Sequence, residues 1–374
     1  MKIPTSLLLC VAAALLLISS GTQHSTLHHL RVDHHLSATQ PLQNAPPLMA
    51  FTTVALGGFK GLIADVLWLR MSSLQEEHKY FELVQLANWV TKLEPRFTSV
   101  WAFHAWNMAY NISVMLPDPN DRWRWVKNGI HLLRDEGLRY NPGDPLLYWE
   151  LGWLYQHKIG MRLDDAHITY RQQLAFEIHE LFRGSTPDYE SLRKDGQAKE
   201  TLISTHKLDP EMMYTIDKQY GYLDWRLPET HAIYWSTLGS KQPGHKDAIR
   251  CTRMIYQSLG ASFTRGHLDF DPETGAYKLS PRPELLPVVL AAYNTALKEY
   301  QGNSGLKMAH ANFMHDAILV FYTLGQRNMA SEIMHILNST YPSFLNTTDL
   351  DTLAKDTHRM QTIFMELNAD APPQ

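Results

Sequence analysis

A short segment in the middle of the chain carries side chains that acid–base chemistry uses. Residues 222–235, YLDWRLPETHAIYW, hold Asp224, Arg226 and Glu229 close together beside two tryptophans. A carboxylate beside stacking aromatic rings suits an enzyme, provided that Asp224 or Glu229 lies at the floor of a deep pocket with a raised pKa. Pro228 followed by Glu-Thr is also typical of a helix start, with Asp224 and Arg226 pairing to fix the entry turn. We favour this structural role, and pairing with Arg226 would remove the main support for catalysis.

A second candidate for chemistry is the acidic stretch LDFDPETGAY. Asp269, Asp271 and Glu273 alternate like the carboxylates of a calcium-binding loop. Gly275 stands at the seventh place rather than the sixth, and Ser280 stands where a bidentate Glu would close the loop. A β-hairpin built on Asp-Pro-Glu-Thr-Gly is therefore the favoured interpretation.

The histidines do not predict a metal site. His179-Glu180 begins like a zinc-protease motif, but Arg183 occupies the final histidine place, and His310 and His315 are five residues apart, which turns them away from a shared helical face. An N-terminal tract lacks any second ligand type beside its histidines: His24, His28, His29, His34 and His35. The sequence predicts no catalytic residue, no metal and no cofactor.

Composition and the N-terminus narrow the class of protein. The 374 residues include 34 Lys and Arg against 38 Asp and Glu, so we do not expect a nucleic-acid partner. Lys2 precedes the apolar run SLLLCVAAALLLI at 6–18, which is typical of a signal peptide or a short membrane anchor. We expect export from the cytoplasm, with the segment either cleaved or retained.

Residues 141–155, NPGDPLLYWELGWLY, indicate the elements that organise the chain. Asn141-Pro142 closes one unit, and Tyr148, Leu151, Gly152 and Tyr155 fit the pattern W-x2-L-G-x2-Y of the next. The chain thereby resembles the tetratricopeptide-repeat (TPR) superfamily. The resemblance implies pairs of helices stacked into a superhelix that contacts other proteins, and it implies no catalytic residue.

Further units are predicted around this one. In the first, a helix starts after Gly57-Gly58 with Leu62, Val66 and Leu69 on one face, and the second helix follows in FELVQLANWVTKLEP. The second unit runs from about Thr98 to Pro142, and its insert LPDPNDRW at 116–123 predicts a longer loop between the helices.

The later units are less regular. A clear one keeps the expected offsets at Met314, Gly325, Ala330 and Pro342. Between the clear units, HAIYWSTLG followed by DAIRCTRMIYQSL predicts a degraded helix pair, and a turn-rich insert follows at 265–283.

In the TPR family the inner surface is formed mostly by the first helix of each unit. On this chain the resemblance places large or polar side chains there at Trp106, Tyr110, Trp149, Trp153, Gln156 and His157. Aromatic side chains dominate binding hot spots, so the predicted groove would accept a protein or peptide segment. The alternative is that these tryptophans are plain core, covered by other parts of the chain.

Taken together, we predict an all-α fold, a TPR-like helical-hairpin solenoid with irregular insertions in the middle region. The predicted organisation is a signal peptide or membrane anchor, a linker, N-terminal repeats, degraded repeats, and a C-terminal repeat with its tail: 1–21, 22–50, 51–183, 184–310 and 311–374. With its N-terminal segment the chain looks like the TPR proteins of the bacterial envelope. We expect a non-enzymatic scaffold on the periplasmic side of the cytoplasmic membrane, touching the membrane through its N-terminus. The alternative is a cell-wall glycan-binding protein or hydrolase using Asp224 or Glu229.

Overall fold

A computed structural model describes residues 60–242 and 247–355, together with the isolated positions 15, 19, 23, 26, 27, 30 and 363. Nearly all of the apolar run at 6–18 and of the linker, and the five histidines of the N-terminal tract, lie outside the described residues. Residues 61–374 form one compact unit, and residues 1–60 form another. Among the described helices, none combines the length and the apolar character that crossing a bilayer requires.

The described chain is helical apart from one small hairpin, which confirms the all-α class. Its α-helices are α1 (Lys60–Glu76), α2 (Tyr80–Leu93), α3 (Thr98–Trp106), α4 (Pro119–His131), α5 (Pro145–Trp153), α6 (His167–Phe182), α7 (Tyr189–Lys194), α8 (Gly196–Thr201), α9 (Pro210–Tyr220), α10 (Pro228–Ser240), α11 (Ala248–Arg265), α12 (Leu286–Glu299), α13 (Ser304–Thr323), α14 (Arg327–Thr340) and α15 (Leu350–Ala354). Four of them continue into wider π-helical turns, at Asn107–Ile112, Leu132–Gly137, Leu154–Ile159 and Leu202–His206. Two of these turns end in one more α-helical turn, at Ser113–Met115 and Leu138–Tyr140.

The prediction of a long loop at 116–123 is wrong, because most of that insert is helix. Asp118 accepts hydrogen bonds from the backbone N–H groups of Asn120 and Asp121, at 2.7 and 3.4 Å, and Pro119 occupies the first helical position. An Asp cap followed by Pro is a strong helix start, since it satisfies free N–H groups and presets the backbone angle. The loop therefore shrinks to three residues and α4 begins at Pro119.

Helices α1 and α2 share a small core of their own. Its buried members are Ala64, Met71, Leu74, Leu83, Ala87, Val90 and Val100. The face predicted from Leu62, Val66 and Leu69 is turned outwards, with 60%, 59% and 70% of these side chains exposed. Both faces of α1 are apolar, so periodicity alone did not identify the one that packs against α2.

The main core is centred on α5, which packs chiefly against α10 and also against α11. Two glycines permit this close packing. A Cβ added at Gly152 would lie 2.6 Å from Oγ of Ser236 in α10, and one at Gly239 would lie 2.6 Å from Sγ of Cys251 in α11. The glycine of the repeat pattern thus allows close helix contact, but its partner is a helix about 80 residues further along the chain.

The turn-rich insert forms a two-stranded antiparallel hairpin, β1 (His267–Phe270) and β2 (Tyr277–Ser280), with Leu268 opposite Leu279. The predicted hairpin is confirmed. The carboxylate of Asp271 accepts hydrogen bonds from the N–H of Glu273 and the hydroxyl of Thr274, and Gly275 takes a positive φ of 72°. Within the described residues, no cluster of His, Cys, Asp and Glu side chains is arranged to hold a metal ion.

Two further predicted helix pairs are present. Helices α10 and α11 contact each other extensively, which matches the degraded pair, and α13 and α14 pack together around the turn at Gly325, whose φ is +74°. Buried residues of one continuous core run from Trp101 to Ile363. That core crosses the predicted segment boundaries at 183/184 and 310/311.

Candidate functional site

The predicted inner-surface residues come from two neighbouring stretches of helix. Trp106 ends α3 and Tyr110 lies in the π-helical turn Asn107–Ile112, whereas Trp149 and Trp153 lie in α5 and His157 follows in the π-helical turn Leu154–Ile159. The two π-helical turns contact each other. A π-helical turn widens the helix and re-aims its side chains, and such turns are frequent at functional sites.

Five of the six predicted side chains form a continuous row of neighbouring rings, which we call the aromatic ladder: Trp106, Tyr110, His157, Trp153 and Trp149. The ring centroids of Trp106 and Tyr110 are 5.5 Å apart and those of Trp153 and His157 are 4.2 Å apart, at interplanar angles of 24° and 16°. Tyr110 and His157 join the two halves, because the Tyr110 hydroxyl and the His157 Nδ1 are hydrogen-bonded at 3.0 Å. Trp149 extends the row, with its centroid 5.6 Å from that of Trp153.

Lys158 contacts the ladder at Tyr110. Its Nζ lies 5.3 Å from the ring centroids of both Tyr110 and Tyr170, and it forms an ion pair with Asp164 at 2.6 Å. The side chain is 1% exposed, and burial lowers its pKa. A buried ammonium held between two aromatic faces and a carboxylate fixes the ring of Tyr110 in place.

A carboxyl group on α5 lies near the ladder. Glu150 acts electrostatically on Tyr110, and burial raises the pKa of Glu150 to about 7 even though the charge of Arg250 opposes that rise. The guanidinium of Arg250, on α11, lies 5.0 Å from the ring centroid of Trp149. One end of the ladder therefore combines tryptophans, an arginine and a carboxyl group that titrates near neutral pH.

The ladder lies at the edge of the core. Trp106 is 37% exposed, while Tyr110, Trp149, Trp153 and His157 are half-buried. Tyr110, Trp149 and Trp153 each pack one side of the ring against the main core. The ladder therefore differs from the fully buried core that was the alternative interpretation, since each ring keeps some contact with solvent.

Gln156 does not join the ladder. It lines a neighbouring cleft of about 330 Å³ together with residues of α11 and α13, among them Arg265 and Asp316. Gln156 and His157 are adjacent in sequence, and successive residues of a helix point in different directions. The six predicted residues thus divide into five whose rings form the ladder and one that lines a separate cleft.

Three neighbours of the ladder were missed at the level of sequence: Glu150, Lys158 and Arg250. Glu150 follows Trp149 directly and lies three residues before Trp153, so helical spacing alone places it beside the tryptophans. Lys158 follows His157, and nothing in its surroundings signals burial. Arg250 is 100 residues away along the chain, and only the packing of α5 on α11 brings it to Trp149.

The acid–base segment at 222–235 is tied into the core. Asp224 accepts two hydrogen bonds from Arg226, at 3.0 and 2.7 Å, and Arg226 also donates to the backbone oxygen of Leu268 in the hairpin. Glu229 pairs with Arg265 at 2.8 Å, and all four of these charged side chains are buried. Asp224 therefore pairs with Arg226, as the structural interpretation predicts, whereas Glu229 pairs with a different arginine, Arg265.

Comparisons with protein-family models and with curated proteins find no match for this chain.

Proposed function

We propose that this chain is a non-enzymatic interaction scaffold of the cell envelope, in which the aromatic ladder binds a segment of another protein. The observation that carries the proposal is the unbroken row of five partly exposed rings across two successive stretches of helix. Tyrosine and tryptophan give a large contact area at a low cost in side-chain entropy, and they are enriched at the centres of interfaces.

The finer fold assignment, a TPR-like solenoid, belongs to the same proposal. It is supported by sequential helix pairs that contact each other, such as α10 with α11 and α13 with α14. The ladder would then line the inner surface of the second and third units. In one respect the packing departs from a regular array, because α5 packs chiefly on α10, which begins only at Pro228.

The partner we infer is an extended or helical peptide segment with apolar side chains. Such a segment would cover the ladder's rings, and a cationic side chain on it would pair with Glu150 once that carboxyl group ionises. The apolar N-terminal run supports export, with the scaffold on the periplasmic side of the membrane, either anchored or released by cleavage.

Affinity capture tests the proposal. The full chain would be used as bait on solubilised envelope membranes, and captured proteins identified by mass spectrometry, for wild type and for the double variant Trp149→Ala, Trp153→Ala. The matched control is Trp89→Ala in α2, since Trp89 is 56% exposed but lies outside the ladder. We expect the double variant to lose partners that wild type and Trp89→Ala retain.

A photo-crosslinking residue at position 106 or 153 would then identify the bound segment, with position 89 as the control site. Retention of every wild-type partner by a folded double variant would exclude the ladder as the binding surface. Circular dichroism and thermal melting would establish that the variant is folded.

A further inference from the structure

The polar atoms of the aromatic ladder determine which peptide conformation it can bind. The indole N–H of Trp153 is hydrogen-bonded to the Tyr110 hydroxyl, and this bond opposes the rise in the pKa of Tyr110 that burial causes. An indole N–H can only donate, so the Tyr110 oxygen is the acceptor of this bond. The hydroxyl proton of Tyr110 then has one acceptor among the described residues, Nδ1 of His157 at 3.0 Å.

This arrangement fixes the tautomer of His157. Burial and the nearby charge of Lys158 lower the pKa of His157, which favours the neutral ring. Because Nδ1 accepts a hydrogen bond from Tyr110, the single ring proton is on Nε2. Nε2 makes no hydrogen bond to a described residue and is not one of the buried polar atoms without a partner, so it meets solvent as an N–H donor.

The ladder presents such donors along its length. His157 is the middle ring of the five, and Trp106 and Trp149 are the rings at the two ends. The indole N–H groups of these two tryptophans likewise make no hydrogen bond in the part of the chain that the structure describes. The two acceptors of the row, the Tyr110 oxygen and Nδ1 of His157, are already engaged. The rings therefore offer hydrogen bonds to the carbonyl groups of a bound peptide.

Backbone chemistry separates the candidate occupants of the ladder. The carbonyl groups inside an α-helix already accept hydrogen bonds from the same helix, so a bound helix would leave these donors without partners. A polyproline II segment has no internal hydrogen bonds and leaves its carbonyl groups free. Proline also lacks an N–H group, so a proline-rich segment buries no unpaired backbone donor against the rings. Grooves lined by aromatic side chains are a recurring surface for such segments.

We propose that the segment bound by the aromatic ladder is proline-rich and adopts the polyproline II conformation, with a backbone carbonyl group accepting a hydrogen bond from Nε2 of His157. The pyrrolidine rings of the segment pack on the tryptophan rings of the ladder. A polyproline II segment is preformed in solution, so its binding costs little conformational entropy. This inference rests on the proposed scaffold function, and it narrows the partner from an extended or helical segment to one conformation and one composition.

Two mirror-image peptides test the proposal without knowledge of the natural partner. Acetylated and amidated decamers of L-proline and of D-proline have the same composition and hydrophobicity, but they form helices of opposite hand. Isothermal titration of the purified full chain in detergent should show saturable binding of the L-proline peptide. The D-proline peptide should bind at least about tenfold more weakly, since its carbonyl groups follow the opposite hand and do not meet the same donors.

Three variants separate the contributions of the rings and of the donor. The double variant Trp149→Ala, Trp153→Ala should lower the affinity for the L-proline peptide by more than about tenfold, because it removes two of the rings. Trp89→Ala, at an exposed tryptophan outside the ladder, should leave the affinity unchanged. His157→Phe keeps an aromatic ring next to Trp153 but removes the donor, so it should weaken binding by about three- to tenfold.

The absence of saturable binding of the L-proline peptide would overturn the inference. The scaffold function would stand in that case if capture of envelope proteins still depends on Trp149 and Trp153, and both proposals would fail if it does not. Equal affinities for the two peptides would also overturn the inference, because non-specific apolar contact would then explain the binding. An unchanged affinity in a folded His157→Phe variant would contradict the hydrogen bond and with it the choice of a proline-rich segment.

Discussion

Glu150, a neighbour of the ladder, is a carboxyl group whose pKa is altered by its environment. Its pKa is raised from 4.5 to about 7 by burial, so the folded protein keeps the proton over a pH range in which the unfolded chain loses it. The contribution of this pKa shift to the free energy of unfolding is fully present below pH 4.5 and is lost as the pH rises through about 7. This pH dependence is opposite to that of a carboxylate held in an ion pair, whose stabilising contribution is lost as the pH falls.

The first prediction concerns Glu150→Gln. Glutamine resembles the protonated acid, so wild type and variant should have similar free energies of unfolding near pH 4.5, and the variant should become more stable by about 1–3 kcal/mol at pH 8. Urea denaturation of both proteins at several pH values measures the difference between their free energies of unfolding. The contributions of the other titrating groups are the same in both proteins and cancel in this difference. A difference that stays constant with pH would contradict the raised pKa of Glu150.

The second prediction concerns the buried pair of Asp224 and Arg226. Arg226→Met keeps much of the side-chain volume but leaves the Asp224 carboxylate and the Leu268 carbonyl without their donor. We expect a loss of about 3–5 kcal/mol in the free energy of unfolding, because a buried charge is left without its partner.

Arg250→Met is the matched control for that prediction. Arg250 pairs with Asp247 at 3.3 Å and 47% of its side chain is exposed, so the change should cost less than about 1 kcal/mol. Adding Asp224→Asn to Arg226→Met should recover part of the loss. If Arg226→Met and Arg250→Met destabilise the protein equally, the pair at Arg226 has no special structural role.

At the scale of elements, the packing of α5 on α10 depends on one missing side chain. A Cβ at position 152 would meet Oγ of Ser236 at 2.6 Å and Cγ of Met254 at 3.1 Å. At this distance there is no room for a methyl group unless the two helices separate, and their separation would also move Trp149 and Trp153 of α5.

The third prediction follows from that contact. Gly152→Ala should destabilise the protein by about 1–3 kcal/mol through overpacking. Gly61→Ala in α1 is the control, since an added Cβ there meets nothing within 4 Å and alanine favours the helix. Because the Ser236 hydroxyl is buried without a partner in the described residues, Ser236→Ala should be nearly neutral and should rescue part of the Gly152→Ala loss. Additive effects in this double-mutant cycle would contradict the close contact.

At the scale of the whole molecule, the buried hydrophobic residues of the described chain form one large core and two smaller ones, and one of the smaller cores lies at the hairpin. The large core joins residues from Trp101 to Ile363, whereas the core of α1, α2 and the start of α3 holds only a few buried side chains. An element with few buried apolar contacts opens more easily than one at the centre of a large core. The N-terminal helix pair should therefore be the less stable part of the described unit.

The fourth prediction is a difference in hydrogen exchange. Amides of α1 and α2 should exchange faster than those of α10 and α11 under native conditions, as measured by mass spectrometry on peptides from each region. Peptides from α13, within the large core, serve as the reference for slow exchange. Equal protection of α1 and α10 would show that the two cores unfold as a single cooperative unit.

Local signals in the sequence determined many elements. The Asp-Pro pairs start helices because the carboxylate caps free N–H groups, and Asp-Pro-Glu-Thr-Gly forms a hairpin turn because Gly275 accepts a positive φ. The i, i+4 spacing of Trp149, Trp153 and His157 predicts their shared face, and their rings do lie next to one another, with Trp153 and His157 stacked. The prediction of a loop at 116–123 was wrong, because turn-forming residues such as Asp118 and Pro119 also form a helix start.

The tertiary structure decided what no local pattern contains. Leu62, Val66 and Leu69 share a face, but only the packing of α1 on α2 shows that this face is the exposed one, because both faces are apolar. The pairing of α5 with α10, the approach of Arg250 to Trp149 and the hydrogen bond between Tyr110 and His157 join residues distant in sequence. Spacing along a chain fixes which side chains share an element, whereas burial, pKa and cavities depend on which elements meet.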